Sequence, residues 1–193
     1  MSSRNQAAAD LGRRSFLSLG AGLVGASALT FLPRAVMAKT TAPDSRTLGF
    51  FNTHTNEILK ATYWQNGSYD RGAVSDINYI LRDFRSGDVF SMDLKLFDLL
   101  TILHRRTGSK KPFEIISGYR SPLTNAKLAS ASNGVAKRSM HMEGKAMDIR
   151  VPGRALPDVH RTALLLGLGG VGYYPTSNFV HVDTGRIRQW NGV

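Results

Sequence analysis

The sequence predicts an α+β domain, with helices packed on one side of a mainly antiparallel sheet, and three observations predict it. Strand-like and helix-like runs follow one another without the strand–helix–strand regularity of a parallel sheet. Apolar residues make up 42% of the 193, enough for a real core. No internal repeat, coiled-coil heptad or low-complexity tract points to another architecture.

Residues 1–38 read as an address. Arg13-Arg14-Ser15-Phe16-Leu17 opens an uncharged Ala- and Gly-rich run from Ser18 to Leu32. The run is short and weakly apolar for a membrane span. Val36-Met37-Ala38 offers small or modest residues for signal-peptidase cleavage. Paired arginines followed by x-Phe-Leu resemble a bacterial twin-arginine export signal, which carries proteins already folded. Residues 39–46 form a polar linker with Pro43, and 47–193 form the domain.

Elements follow in order. Residues 48–52 and 57–64 predict two strands joined by a turn at 53–56, and Asn66-Gly67 marks a second turn. Val74, Ile77, Ile80, Leu81 and Phe84 recur at helical spacing, with Gly87 as the stop. A second helix has Ser91 as its N-cap and Gly108 just past its end. Leu94, Phe97, Leu100, Ile102 and Leu103 form its apolar stripe. Residues 112–117 predict a buried strand. Ser121 then caps a helix whose first residue is Pro122 and which runs to Ser132. A loop through Asn133-Gly134 leads to a strand over 144–151 and a short helix over 157–166. Strands over 169–174 and 179–184 close the chain as a hairpin.

The formal charge of +11 points to an anionic partner. Without 1–38, which holds four basic residues and one acidic, the charge is still +8. For an exported protein this favours an anionic envelope polymer over nucleic acid. The absence of cysteine excludes disulfides, thiolate metal sites and a cysteine nucleophile. Any metal is therefore held by His and carboxylate.

Two segments carry that chemistry. They are Ser139-Met140-His141-Met142-Glu143-Gly144-Lys145-Ala146-Met147-Asp148 and Asn178-Phe179-Val180-His181-Val182-Asp183. They allow two imidazoles and a carboxylate to meet across neighbouring strands. That set suits zinc, with the fourth position left for water. Gly144 and Ala146 let the backbone turn closely beside the metal. Alternation along a strand puts His181 and Asp183 on one face.

S-x-H-x-x-G-x-A-x-D followed by H-x-D resembles the D-alanyl-D-alanine metallopeptidase superfamily, which includes hedgehog-like domains. Ser117-Gly118-Tyr119-Arg120, G-V-G-Y-Y-P at 170–175 and S-N-F-V-H-V-D-T-G at 177–185 are similar to the YcbK-type murein endopeptidases. The resemblance covers nearly all of the chain after the leader. It implies a hedgehog/D-Ala-D-Ala-peptidase-like fold and zinc held by His141, Asp148 and His181. Arg120 matches the arginine that faces the scissile carbonyl or a substrate carboxylate. Ser139 orients His141 or binds substrate.

The chain departs from many relatives at one position. Asn178 stands where they place an acidic general base, three residues before the last ligand. Asp183 is then the candidate base and Glu143 the weaker one, with Asn178 left to bind substrate. Asp183 can equally serve to hold His181 in place.

The implied activity is hydrolysis of peptidoglycan cross-links in the periplasm, foremost meso-diaminopimelate–meso-diaminopimelate links. No nucleic acid and no permanent membrane span is expected once the leader is cleaved. The same ligand set also fits a D,D-carboxypeptidase or endopeptidase on D-alanine links. A zinc-stabilised wall-binding module without catalysis is the reading from another class, favoured by Asn178. The full ligand set and Arg120 favour the enzyme.

Overall fold

The computed structural model describes residues 44–132 and 135–192. The leader, most of the linker and the Asn133-Gly134 loop lie outside the described residues.

Among the described residues the chain forms eight strands and four helices. The order is β1 (Arg46–Asn52), β2 (Ile58–Gln65), β3 (Ser68–Tyr69), α1 (Arg71–Ile80), α2 (Leu94–Thr107), β4 (Phe113–Ser117) and α3 (Pro122–Ala131). A 3-10 turn, Met140–Glu143, leads into β5 (Ala146–Arg150), followed by α4 (Leu156–Leu166), β6 (Gly170–Tyr174), β7 (Phe179–Asp183) and β8 (Arg188–Asn191). One sheet holds all the strands in the order β3-β2-β1-β4-β5-β7-β6-β8. Only β1 with β4 and β6 with β8 run parallel. The predicted fold class, helices on a mainly antiparallel sheet, is the one formed.

Register decides which side chains share a face. Phe50 lies beside Phe113, Ile115 beside Ile149, and Ile149 beside Val180. These residues join Leu96, Phe97, Leu100 and Leu103 of α2 and Val159 of α4 in one buried cluster. Strand residues alternate between faces, so their neighbours Gly49, Asp148 and His181 lie on the opposite side of the sheet. A register shift between Ile115 and Ser117 sets Ser117 directly beside Asp148. That irregularity brings the following turn, 118–121, to the same place.

The α3 start forms as expected. The Ser121 side chain accepts from Thr124 N–H and Pro122 fills the first turn. Other element ends differ from the sequence reading. Helix α1 stops at Leu81, because Asp83 turns the chain by accepting the Arg85 N–H. Phe84 therefore sits outside the helix and stacks on His54. Gly87, at φ 82, belongs to the next turn. Asp93, rather than Ser91, caps α2, and Ile102 faces solvent. Strands β3 and β8 have no counterpart in the sequence reading.

Candidate active site

His141 is placed by the 3-10 turn. Ser139 Oγ accepts the His141 N–H at 3.4 Å and opens that turn. Gly144 closes it at φ 66. A Cβ at Gly144 would stand 2.7 Å from the Ser91 carbonyl oxygen, so no side chain fits there. The close approach predicted beside the site is thus made to the 90–91 segment. His141 Nδ1 donates to the Gly118 carbonyl at 2.7 Å, which turns Nε2 inward.

Asp148 and His181 face each other across β5 and β7. His181 Nδ1 lies 2.8 Å from Asp148 Oδ1 and 3.2 Å from His141 Nε2. His141 Nε2 is 3.3 Å from the same carboxylate oxygen. On its outer edge, His181 Nε2 donates to Asp183 Oδ2 at 3.1 Å.

Both ring protons are thus committed outward, to a carbonyl and to a carboxylate. Two bare nitrogen lone pairs and an anionic oxygen converge inside, with ligand atoms all within 4.8 Å of one another. Groups so close and so buried need positive charge among them, a proton or a cation, and two imidazoles with a carboxylate fit a divalent metal. The electrostatics agree. Burial opposes ionisation of Asp148, yet His141 and His181 hold it far below the usual carboxylate range. Burial also lowers His181, but Asp148 and Asp183 outweigh it and raise its pKa, a preference for positive charge at this ring. Burial keeps His141 neutral by lowering its pKa.

Arg120 stands beside the trio. Its backbone N–H binds the His141 carbonyl, and its Nη2 lies 3.5 Å from Asp148 Oδ2. The other contacts of its head group are long: 3.4 Å to Asn125 Oδ1 and 3.4 Å to Ser117 Oγ. Nε is buried with no partner. Desolvation lowers the Arg120 pKa. A buried guanidinium with donors to spare is ready for an anionic or developing negative oxygen. It opens, with Ser139, His141, Asp148, Tyr174 and Trp190, onto a cleft of about 530 Å³.

Asp183 stands elsewhere than a base needs. It is fully buried behind His181, on the edge of the ring remote from Asp148. Oδ1 accepts from Gly170 N–H, Gly185 N–H and Arg188 Nη1. Oδ2 takes Arg188 Nη2 at 2.7 Å as well as His181. With every lone pair used and no access to the cleft, its geometry is that of a residue that orients His181. Glu143 is exposed and pairs with Lys145. Asn178 lies in the exposed β6–β7 turn at φ 54, and its carbonyl accepts from Arg150 Nε. Neither lines the cleft. Of the expected site residues, the structure therefore gathers His141, Asp148, His181, Arg120 and Ser139 at the cleft and leaves Asn178 and Glu143 outside.

Two residues missed in the sequence complete the site. Trp190 stands 5.1 Å from the His181 ring and donates to Tyr174 Oη at 2.9 Å. Arg188 pairs with Asp183 from the same strand. Gly172 makes room for the indole, since a Cβ there would approach it to 2.6 Å. The signal was the alternation Arg188-x-Trp190 opposite Gly170-x-Gly172, legible only once β8 is known to pair with β6.

A family model, Peptidase_M15_2, described as peptidoglycan L,D-endopeptidase MepK, matches residues 40–190. The curated peptidoglycan L,D-endopeptidase MepK of Escherichia coli (strain K12) is 42% identical over 181 residues, covering 94% of this chain and 98% of that protein. The probable peptidoglycan L,D-endopeptidase MepK of Haemophilus influenzae is 41% identical over 185 residues, covering 95% and 98%.

Proposed function

This chain belongs to the Peptidase_M15_2 family of peptidases, and on that premise we propose that it is a zinc-dependent endopeptidase of peptidoglycan cross-links. The observation that carries the reading is the inward convergence of His141 Nε2, His181 Nδ1 and Asp148 beside a cleft that Arg120 enters. The bond we assign is the meso-diaminopimelate–meso-diaminopimelate link, which joins an L-centre carbonyl to a D-centre amine. The L,D designation of the relatives supports it.

A divalent ion held by His141, Asp148 and His181 supplies Lewis acidity toward a peptide carbonyl and acidifies water at neutral pH. The rest falls to the chain. Gly118 and Asp183 hold the two imidazoles in the tautomers that present bare nitrogens to the ion. Arg120 binds the carboxylate beside the scissile bond or the oxygen on which charge develops. Trp190 and Tyr174 form an aromatic wall that positions the stem peptide. The wall-binding module has Asn178 in its favour no longer, because Asn178 is a turn residue held by its backbone.

Incubating the protein with purified muropeptides and weighing the products tests the reading. Monomers released from diaminopimelate-linked dimers are expected, with D-alanine-linked dimers left intact. Release of D-alanine alone, or of nothing at saturating zinc, would refute it.

The reading also assigns residues 1–38 to twin-arginine export into the periplasm. Among the described residues, no helix is long and apolar enough to cross a membrane. Arg13→Lys with Arg14→Lys is expected to retain the protein in the cytoplasm. Envelope delivery in cells lacking that translocon is the outcome that excludes this route.

A further inference from the structure

A second cationic groove lies away from the cleft. It has a volume of about 370 Å³ and is lined by Gly49, Ile58, Lys60, His104, Lys110 and Lys111, among others, with no carboxylate. All three lysines are exposed, and among the described residues none has an ion-pair partner. Ile58, 75% exposed, adds an apolar surface beside them.

The groove is built rather than incidental. His104 Nε2 donates to the Lys111 carbonyl at 2.8 Å, which ties the lysine loop to the end of α2. Ser109 Oγ accepts the Lys111 N–H and donates to the Pro152 carbonyl, which fixes the loop from its other side. Gly49 keeps the floor open, since a Cβ there would press on Pro112 at 3.3 Å.

Its position relates it to the reaction. Lys60 pairs with Gly49 and alternates with buried Ala61, so it lies on the face of the sheet that also carries Asp148 and His181. Strand β2 is three places from β5 in the sheet. At roughly 4.8 Å per strand that is about 14 Å across. Lys60 lies opposite Gly49, level with Pro112, while Asp148 lies opposite Ser117, so the two are about 20 Å apart, the span of about six extended residues.

We propose that the Lys60–Lys110–Lys111 groove is an exosite for the carboxylate-bearing cell-wall polymer whose cross-links enter the cleft. The reading rests on the proposed peptidoglycan activity for its choice of polymer. Three ammonium groups without counter-charges match the free carboxylates of stem peptides, and the apolar floor matches the methyl groups of an acetylated glycan. The groove holds the insoluble polymer while the cleft reads the bond.

The test compares the protein with a Lys60→Gln, Lys110→Gln, Lys111→Gln variant. Binding to isolated sacculi is followed by co-sedimentation from about 0.1 M to about 1 M salt, where the Debye length falls from about 10 Å to about 3 Å. Cleavage of a soluble cross-linked dimer is followed in parallel. The variant is expected to bind sacculi about tenfold more weakly at low salt, the worth of three exposed charge pairs. Its dimer cleavage should be unchanged, and a triple Lys→Arg variant should bind as the parent does. Sacculus affinity and salt dependence equal to the parent's would overturn the exosite. So would loss of binding to anionic phospholipid vesicles with sacculus binding intact, which would make the groove a membrane contact. If the parent cleaves no dimer while the variant still loses sacculus binding, the assigned reaction fails and the groove stands.

Discussion

Asp183 shows how one carboxylate is committed by its neighbours. Burial works to raise its pKa, but the hydrogen bonds from His181, Arg188 and the Gly185 N–H outweigh that and hold it far below the usual range. A carboxylate so stabilised as an anion, with both oxygens occupied, is a poor proton acceptor. What it does instead is fix His181 Nε2–H, and through it the direction of Nδ1. Asp183→Asn keeps the shape but removes the charge that pairs with Arg188. Zinc affinity is expected to fall about 10–100-fold, the usual cost of losing the partner of a ligating histidine. Turnover should recover in part when zinc is raised. Competition with a chromophoric chelator reads this directly. Zinc affinity equal to that of the parent, with turnover lost, would restore Asp183 as the base.

At the scale of elements, the site hangs on a turn gripped from behind. Tyr119 N–H binds the Leu81 carbonyl at 2.7 Å, and Gly118 has no room for a side chain against Leu81. Asp83, 1% exposed, accepts the Ser121 N–H at 2.9 Å. The turn so held supplies both the Gly118 carbonyl for His141 and the Arg120 head group. Burial alone would raise the Asp83 pKa; bonds from Thr124, Ser121 and Arg85 bring it down to about 2. A carboxylate depressed on folding adds stability that is whole above its unfolded value of about 4 and is lost as pH falls toward about 2. Asp83→Asn is therefore expected to cost about 1–3 kcal/mol at neutral pH and to flatten the loss between pH 4 and pH 2. Urea unfolding at several pH values checks both, and an unchanged acid limb would show that Asp83 carries no such linkage. Little of this grip was legible in the sequence, because periodicity carried the α1 reading through Phe84. The strands and helices with strong two- or 3.6-residue periods were legible, as was the Ser121-Pro122 start. Strand β3 has two residues, too few for a pattern. Strand β8 is short and polar, and its place is set by non-local parallel pairing with β6. That His141, Asp148 and His181 come together was readable from the two motifs that carry them. Asp183's role was not, because its partner Arg188 sits on the unforeseen strand.

Across the whole molecule, the sheet order brings together pieces distant in sequence. His141 comes from a turn that follows α3, Asp148 from β5 and His181 from β7, and no unfolded chain keeps these three within coordinating distance. A metal that binds this set therefore binds the folded state almost alone, and its binding energy is added to stability. At a zinc concentration about a hundred times the dissociation constant, mass action adds about 2.7 kcal/mol. A domain of this size shifts by about 2–4 °C for each kcal/mol, so zinc should raise the melting temperature by about 5–10 °C over chelated protein. In His141→Ala the increment should vanish, since one of the three ligands is gone, while the chelated variant melts close to the chelated parent. Calorimetry on the two proteins, each with zinc and with chelator, separates these cases. A parent melting temperature indifferent to zinc, or an increment kept in His141→Ala, would mean that the metal is held somewhere other than between β5, β7 and the 3-10 turn.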